Sequence, residues 1–237
     1  MFKKILLVLI LLVSVFVNSG FADNKKLKVG TNAEYAPFEF YDQKNKMVGF
    51  DIDLAEIVAK KAGFSGVEFV DMKFDGLIQS LNKGDFDAIA AGLVITKDRG
   101  KKVLFTKSYA EESLVIVVKN NVNNVKTLDD LNGKKIGAEM GTTSADLAKT
   151  VSGAEVVELD TSEVFTALIN NKVDAIIQTD SVAAYSIKQG KLPLKITSGS
   201  LQDDKKLIAF AVNKKNKELL VKLDKALEDV KKDGSFD

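Results

Sequence analysis

The chain has 237 residues, 46% hydrophobic and 28% charged, which suits one large or two modest folded domains and excludes disorder or a fibrous repeat. Cysteine and histidine are absent, so disulfides, Cys/His metal centres, thiol nucleophiles and Ser-His-Asp triads are excluded. With 34 basic against 33 acidic residues there is no cationic excess for nucleic acid, and every basic residue is Lys except Arg99.

At the N-terminus, Lys3 and Lys4 precede an apolar run of 13 residues, Ile5 to Val17, and then a stretch with Gly20 and Ala22 where a signal peptidase reads. A spanning helix needs about 20 apolar residues, so residues 1–22 are expected to be a cleaved signal peptide. The remaining 215 residues carry 32 basic and 33 acidic side chains, a net charge of −1, and no cysteine stands at the cleavage site to take a lipid. An exported, periplasmic, monomeric protein is expected.

From Lys26 onward, β-branched runs alternate with amphipathic segments. Strands are expected at Leu27–Gly30, Val67–Val70, Asp87–Ala90 and Leu114–Val118, and helices at Asp51–Ala62 and Phe74–Asn82. The second half repeats the scheme with strands at Ile136–Ala138, Val156–Leu159, Asp174–Ile177 and Ile208–Val212. Its helices are expected after Gly141, over Glu163–Asn170, and along a final stripe of Leu219, Leu220, Leu223, Leu227 and Val230. This alternation predicts an α/β protein with mostly parallel sheets. A weak repeat, Leu81 with Asp87-Ala88-Ile89 against Leu168 with Asp174-Ala175-Ile176, is either two similar lobes or a common helix-turn-strand passage. The polar stretch Lys119–Lys126 is read as supporting a junction between halves.

Four segments carry candidate chemistry, most of them at the carboxyl end of a strand, where open α/β sheets bind ligands. Thr31 to Phe40 follows the first strand and is a ligand loop or an ordinary turn ended by Pro37. In Ala91 to Lys102, Thr96 is a plausible helix N-cap that puts Arg99 in the first turn. A cation there opposes the helix dipole and makes sense beside an anion, unless the segment is only a solvated charged face. In Glu139 to Asp146, Gly141 permits a sharp turn and Thr142 or Thr143 can cap a helix, with or without an anion in front of it. In Gln178 to Ser181, Asp180 can hold an ammonium or cap the helix that follows. Together, Arg99 and the Thr143 helix start for a carboxylate, an acid for an ammonium, and Tyr35 and Phe74 as apolar walls describe a zwitterion site.

These motifs, with Val48-Gly49-Phe50-Asp51-Ile52-Asp53-Leu54 and Phe74-Asp75-Gly76-Leu77-Ile78, resemble the polar amino-acid-binding family of bacterial extracellular solute-binding proteins, family 3, from about Lys26 to the end. The resemblance implies a two-lobed periplasmic-binding-protein fold: two mostly parallel sheets with flanking helices, joined by a two-strand hinge. Lobe 1 would be residues 23–110 with 206–237 and lobe 2 residues 111–205, with crossings near Tyr109–Ser113 and Asp203–Leu207. It implies a non-catalytic receptor that closes on a small amino acid and delivers it to an ABC permease, with no cofactor. By the same resemblance Arg99 and Thr143 hold the carboxylate, the Gly92 carbonyl accepts from the ammonium, Tyr35 and Phe74 are aromatic walls, and Asn32 reads the side chain. Glu139 and Thr142 complete the expected lining. Asn32 carries no charge, so a neutral or polar ligand is expected, with Glu34 and Glu139 close to it in sequence.

Two positions depart from the family pattern. Val94 stands where a hydroxyl usually assists the carboxylate. Thr179 stands at the ammonium-binding Asp position, with Asp180 one residue later, and Asp180 is the expected ligand contact. The aromatic-rich ending after Gly-Ser-Phe-Asp is also absent, which implies a short last helix or a chain cut at Asp237. Rival readings are a periplasmic enzyme resembling the cyclohexadienyl dehydratases and a ligand-sensing domain.

Overall fold

The computed structural model describes residues 25–197, 199, 201 and 205–236. The expected signal peptide and the Asp203–Asp204 part of the second crossing lie outside the described residues. The first half runs β1 (Leu27–Thr31), a small meander β2 (Glu34–Tyr35), β3 (Glu39–Tyr41) and β4 (Met47–Val48), α1 (Phe50–Lys61), β5 (Val67–Asp71), α2 (Leu77–Lys83), β6 (Ala88–Ile89), α3 (Lys97–Gly100) and β7 (Val103–Phe105). After β8 (Ala110–Glu112) come β9 (Leu114–Lys119), β10 (Lys135–Glu139), α4 (Thr143–Ala148), β11 (Glu155–Leu159), α5 (Thr161–Ile169), β12 (Ala175–Thr179), α6 (Asp180–Gly190) and β13 (Leu194–Ile196). The chain ends with β14 (Lys206–Ile208), β15 (Ala211–Asn213) and α7 (Lys217–Lys232).

Two five-stranded sheets form, in the orders β5-β1-β6-β15-β7 and β11-β10-β12-β9-β13. In each, the first three strands are parallel and the fourth, β15 or β9, runs antiparallel. That fourth strand is the one arriving from the short antiparallel ribbon of β8 and β14, which carries the chain between the lobes. Each sheet thus closes on a strand delivered by a crossing, which makes the first lobe discontinuous in sequence.

The internal repeat is structural. Asp87 and Asp174 precede the third strands of the two sheets, and their carboxylates accept from the N–H groups of Lys28 (3.1 Å) and Lys135 (2.8 Å) at the starts of β1 and β10. In both lobes this bond sets the register of a parallel pair. The Lys119–Lys126 stretch, by contrast, is no junction. Asn120 donates its N–H to the Pro193 carbonyl at 3.0 Å, and Val125 is buried in the second lobe's core.

The buried faces explain the periodicity. On α1, Leu54, Ala55, Val58 and Ala59 pack with Leu223 and Leu227 of α7 over Leu27, Val29 and Val212 of the first sheet. In the second sheet Leu114 to Val118 are all buried, because helices cover both faces, so this strand reads as a continuous apolar run. The expected strand Ile208–Val212 divides into β14 and β15 around Ala209 and Phe210, where the chain leaves the crossing ribbon for the first sheet. Among the described residues no helix is long and apolar enough to cross a membrane.

Candidate functional site

Ten of the eleven expected site residues line one chamber between the lobes: Asn32, Tyr35, Phe74, Gly92, Val94 and Arg99 from the first, and Glu139, Thr142, Thr143 and Thr179 from the second. Ala91 and Ser144 complete the lining. The segments reach it because β1, β6, β10 and β12 all point their carboxyl ends at the cleft. The chamber is about 20 Å³, room for little more than one water molecule. The lobes touch directly across it: the Tyr35 hydroxyl meets Thr179 Oγ1 at 2.8 Å, and Arg99 Nη2 donates to the Gly141 carbonyl at 2.9 Å.

Thr96 caps α3 by accepting from the Arg99 N–H at 3.1 Å, which fixes the root of the Arg99 side chain. The guanidinium then donates from Nη1 to the Val94 carbonyl at 2.7 Å and lies over the Phe74 ring, 5.3 Å from its centroid. Burial lowers its pKa, yet arginine keeps its charge, and no carboxylate among the described residues lies within ion-pair distance of it. A half-buried cation satisfied by two carbonyls and a ring is suited to accept an anion. Across the cleft, Thr142 caps α4 by accepting from the Ala145 N–H at 3.3 Å, so Thr143 begins the helix that faces Arg99.

Asp180 does not line the chamber. Its carboxylate accepts from the N–H groups of Ser113 (3.2 Å) and Ser181 (3.0 Å), on the side of the crossing strand β8, beside Glu112. Thr179 takes the inward position at the end of β12, and successive side chains there point to opposite sides, so the next residue turns away. Burial and the neighbouring Asp180 push Glu112 up to about 7, as expected of two carboxyl groups side by side.

Glu139 is 4% exposed at the end of β10. Its Oε1 accepts the Thr161 hydroxyl at 2.6 Å, and the same hydroxyl is 2.8 Å from Asn32 Oδ1. Burial pushes this carboxyl up to about 7, opposed by the Thr161 bond; Glu34 and Asp75 add to the rise and Arg99 reduces it. Beyond Asn32, Phe74 and Glu139 the cleft continues into a compartment of about 220 Å³ that also receives Glu34, Asp71, Asp75 and Asp160, with Lys73 the one basic group in its lining. Lys73 is already paired with Asp160 across the cleft at 2.6 Å. Glu34 and Glu139 were noted beside Asn32 in the sequence, whereas Thr161, Asp71, Asp75 and Asp160 were not among the expected site residues. Thr161 and Asp160 follow β11 and Asp71 ends β5, so the strand-end rule applied to them as well.

Two α/β lobes on a two-strand ribbon, with a charged chamber between them, define a binding protein that encloses a small polar ligand. The family model for bacterial extracellular solute-binding proteins, family 3, matches residues 27–237, and the chain belongs to that family. It is 34% identical to the ABC transporter arginine-binding protein 1 of Escherichia coli, over 99% of this chain and 96% of that one. It resembles the solved structure of an ancestral arginine-binding protein bound to arginine with a TM-score of 0.85 and 42% identity, covering 89% of this chain and 94% of that one. It is also similar to the ancestral amino-acid-binding protein AncCDT-1, described as a precursor of cyclohexadienyl dehydratase, with a TM-score of 0.81 and 35% identity, covering 89% and 92%.

Proposed function

We propose that this protein is an exported receptor of an ABC uptake system, whose lobes (23–110 with 206–237, and 111–205) close on one amino acid with a cationic side chain. The observation that carries the reading is the pairing of a half-buried Arg99 lacking a carboxylate with an acidic compartment on the far side of Glu139. An α-carboxylate would replace the Gly141 and Val94 carbonyls as acceptors for Arg99, and the side chain would pass between Tyr35 and Phe74 toward Glu139. Asn32 alone favours a neutral or polar side chain. The carboxylates around it outweigh that preference, because a buried acid near pH 7 gains most from a positive partner. Membership of a solute-binding family and the ABC relative support delivery to a membrane permease.

Thermal-shift and calorimetric titration of the mature protein with arginine, lysine, histidine, glutamine and serine tests this. Stabilisation by a basic amino acid at 1:1 is the expected result. Preferential stabilisation by glutamine or serine would return the ligand to the neutral class, and no stabiliser at all would remove the receptor reading.

One observation favours a second reading. A carboxylic acid held near 7 in the same chamber as a guanidinium is also the equipment of a general acid acting on a carboxylated substrate. Turnover of prephenate or arogenate by the purified protein, without amino-acid binding, would support this elimination enzyme.

A further inference from the structure

Gly92, whose loop lines the chamber, is held from behind. Its φ is +51°, in the left-handed region, and a Cβ there would lie 2.9 Å from Tyr35 Cε1, so this turn depends on glycine. Its N–H donates at 2.8 Å to Oδ2 of Asp51, a fully buried residue in the first turn of α1. The same oxygen accepts the Tyr109 hydroxyl at 2.7 Å. Tyr109 directly precedes β8, donates its N–H to the Ile208 carbonyl of β14 at 2.9 Å, and packs its ring on Phe210 with centroids 4.8 Å apart. It therefore stands where both crossing strands leave the first lobe.

Stability alone explains this acid poorly. Among the described residues, Oδ1 of Asp51 has no hydrogen-bond partner, and Glu39, buried on β3, has none for either oxygen. Burying such groups costs free energy that an apolar residue would avoid. The cost sits directly behind a ligand-facing turn.

We propose that Asp51 is a positioning residue for ligand capture: one carboxylate oxygen holds the Gly92 turn toward the ligand and, through Tyr109, ties that turn to the root of the crossing strands. Chamber and hinge are then one hydrogen-bonded unit. This rests on the receptor reading of the chamber.

The test uses the mature protein, its Asp51→Asn, Asp51→Val and Tyr109→Phe variants, and Leu223→Ala as a destabilised control in the same lobe's core, outside the hydrogen-bonded chain. The probe is whichever of arginine, lysine, histidine or glutamine most stabilises the parent. Affinity is read by calorimetry. Closure is read from the distance between fluorophores on cysteines introduced at Lys172 and Lys214, which a cysteine-free chain permits without background. Asp51→Val should bind roughly tenfold or more weakly. Asp51→Asn, which keeps an acceptor for both donors, should stay within about threefold. Tyr109→Phe, which leaves the chamber lining intact, should lose roughly threefold or more in affinity and reduce the ligand-induced change in distance. Leu223→Ala should melt earlier with unchanged affinity. Parent-like affinity in Asp51→Val or Tyr109→Phe, or an equal loss in Leu223→Ala, would overturn the proposal. If Asp51→Val does not fold, Tyr109→Phe against Leu223→Ala decides. A parent that binds none of the four probes removes the receptor reading, whereas a binding parent with indifferent variants removes this inference alone.

Discussion

Glu139 lets pH distinguish a neutral from a cationic ligand. In the closed arrangement burial holds its carboxyl at about 7 against an ordinary 4.5. A folded or closed state that raises the pKa of an acid keeps its full strength below the ordinary value and loses it as pH rises through the raised one. Closing on a neutral amino acid should therefore take up a proton and weaken between about pH 5 and pH 7.5. The gap corresponds to about 3.5 kcal/mol at about 1.4 kcal/mol per pH unit, or roughly 300-fold in affinity. A cationic side chain beside Glu139 supplies the missing counter-charge, so its binding should take up little or no proton and stay flat over the same interval. Calorimetry at pH 6 in two buffers of different ionisation enthalpy measures the proton uptake for glutamine and for arginine. Glu139→Gln should abolish the difference, weakening arginine and freeing glutamine from pH. Equal proton uptake for both ligands, or a pH-independent glutamine affinity, would refute the reasoning.

Arg99→Lys keeps the charge but loses the planar fork, and amino-acid affinity should fall by about 1.5–3 kcal/mol in calorimetry with little change in melting temperature. Gly92→Ala places a Cβ at positive φ against the Tyr35 ring, so it should destabilise the protein by about 1–3 kcal/mol in denaturant melts and weaken binding as well. Leu223→Ala opens a void between α7 and α1 and should cost about 2–5 kcal/mol of stability while leaving the dissociation constant alone.

Much of the scaffold was legible because its signals are local. The apolar stripe of α1, the Thr96 and Thr142 caps and the buried run of β9 each express a preference within a few residues, and the structure realises them. The unusual Arg99 stood out in composition, and the Thr96 cap placed it in the first turn of a helix. Even the repeat around Asp87 and Asp174 was visible, although its purpose, fixing the first parallel pair in each lobe, needed coordinates.

What escaped local reading involves partners far apart in the chain. Asn32 and Thr161 are 129 residues apart, and Tyr35 and Thr179 are 144 apart, yet each pair meets across the cleft. Asp180 sits at the strand end that the motif picked out, but the alternation of side chains at the close of β12 turned it toward Ser113. The same folding gathered Glu34, Asp71, Asp75, Glu139 and Asp160 from four segments of the chain around one compartment. Residue type and period could name the alternating strands and helices and the arginine. The charge that surrounds a ligand is a sum over both lobes at short range, and it exists only once they meet.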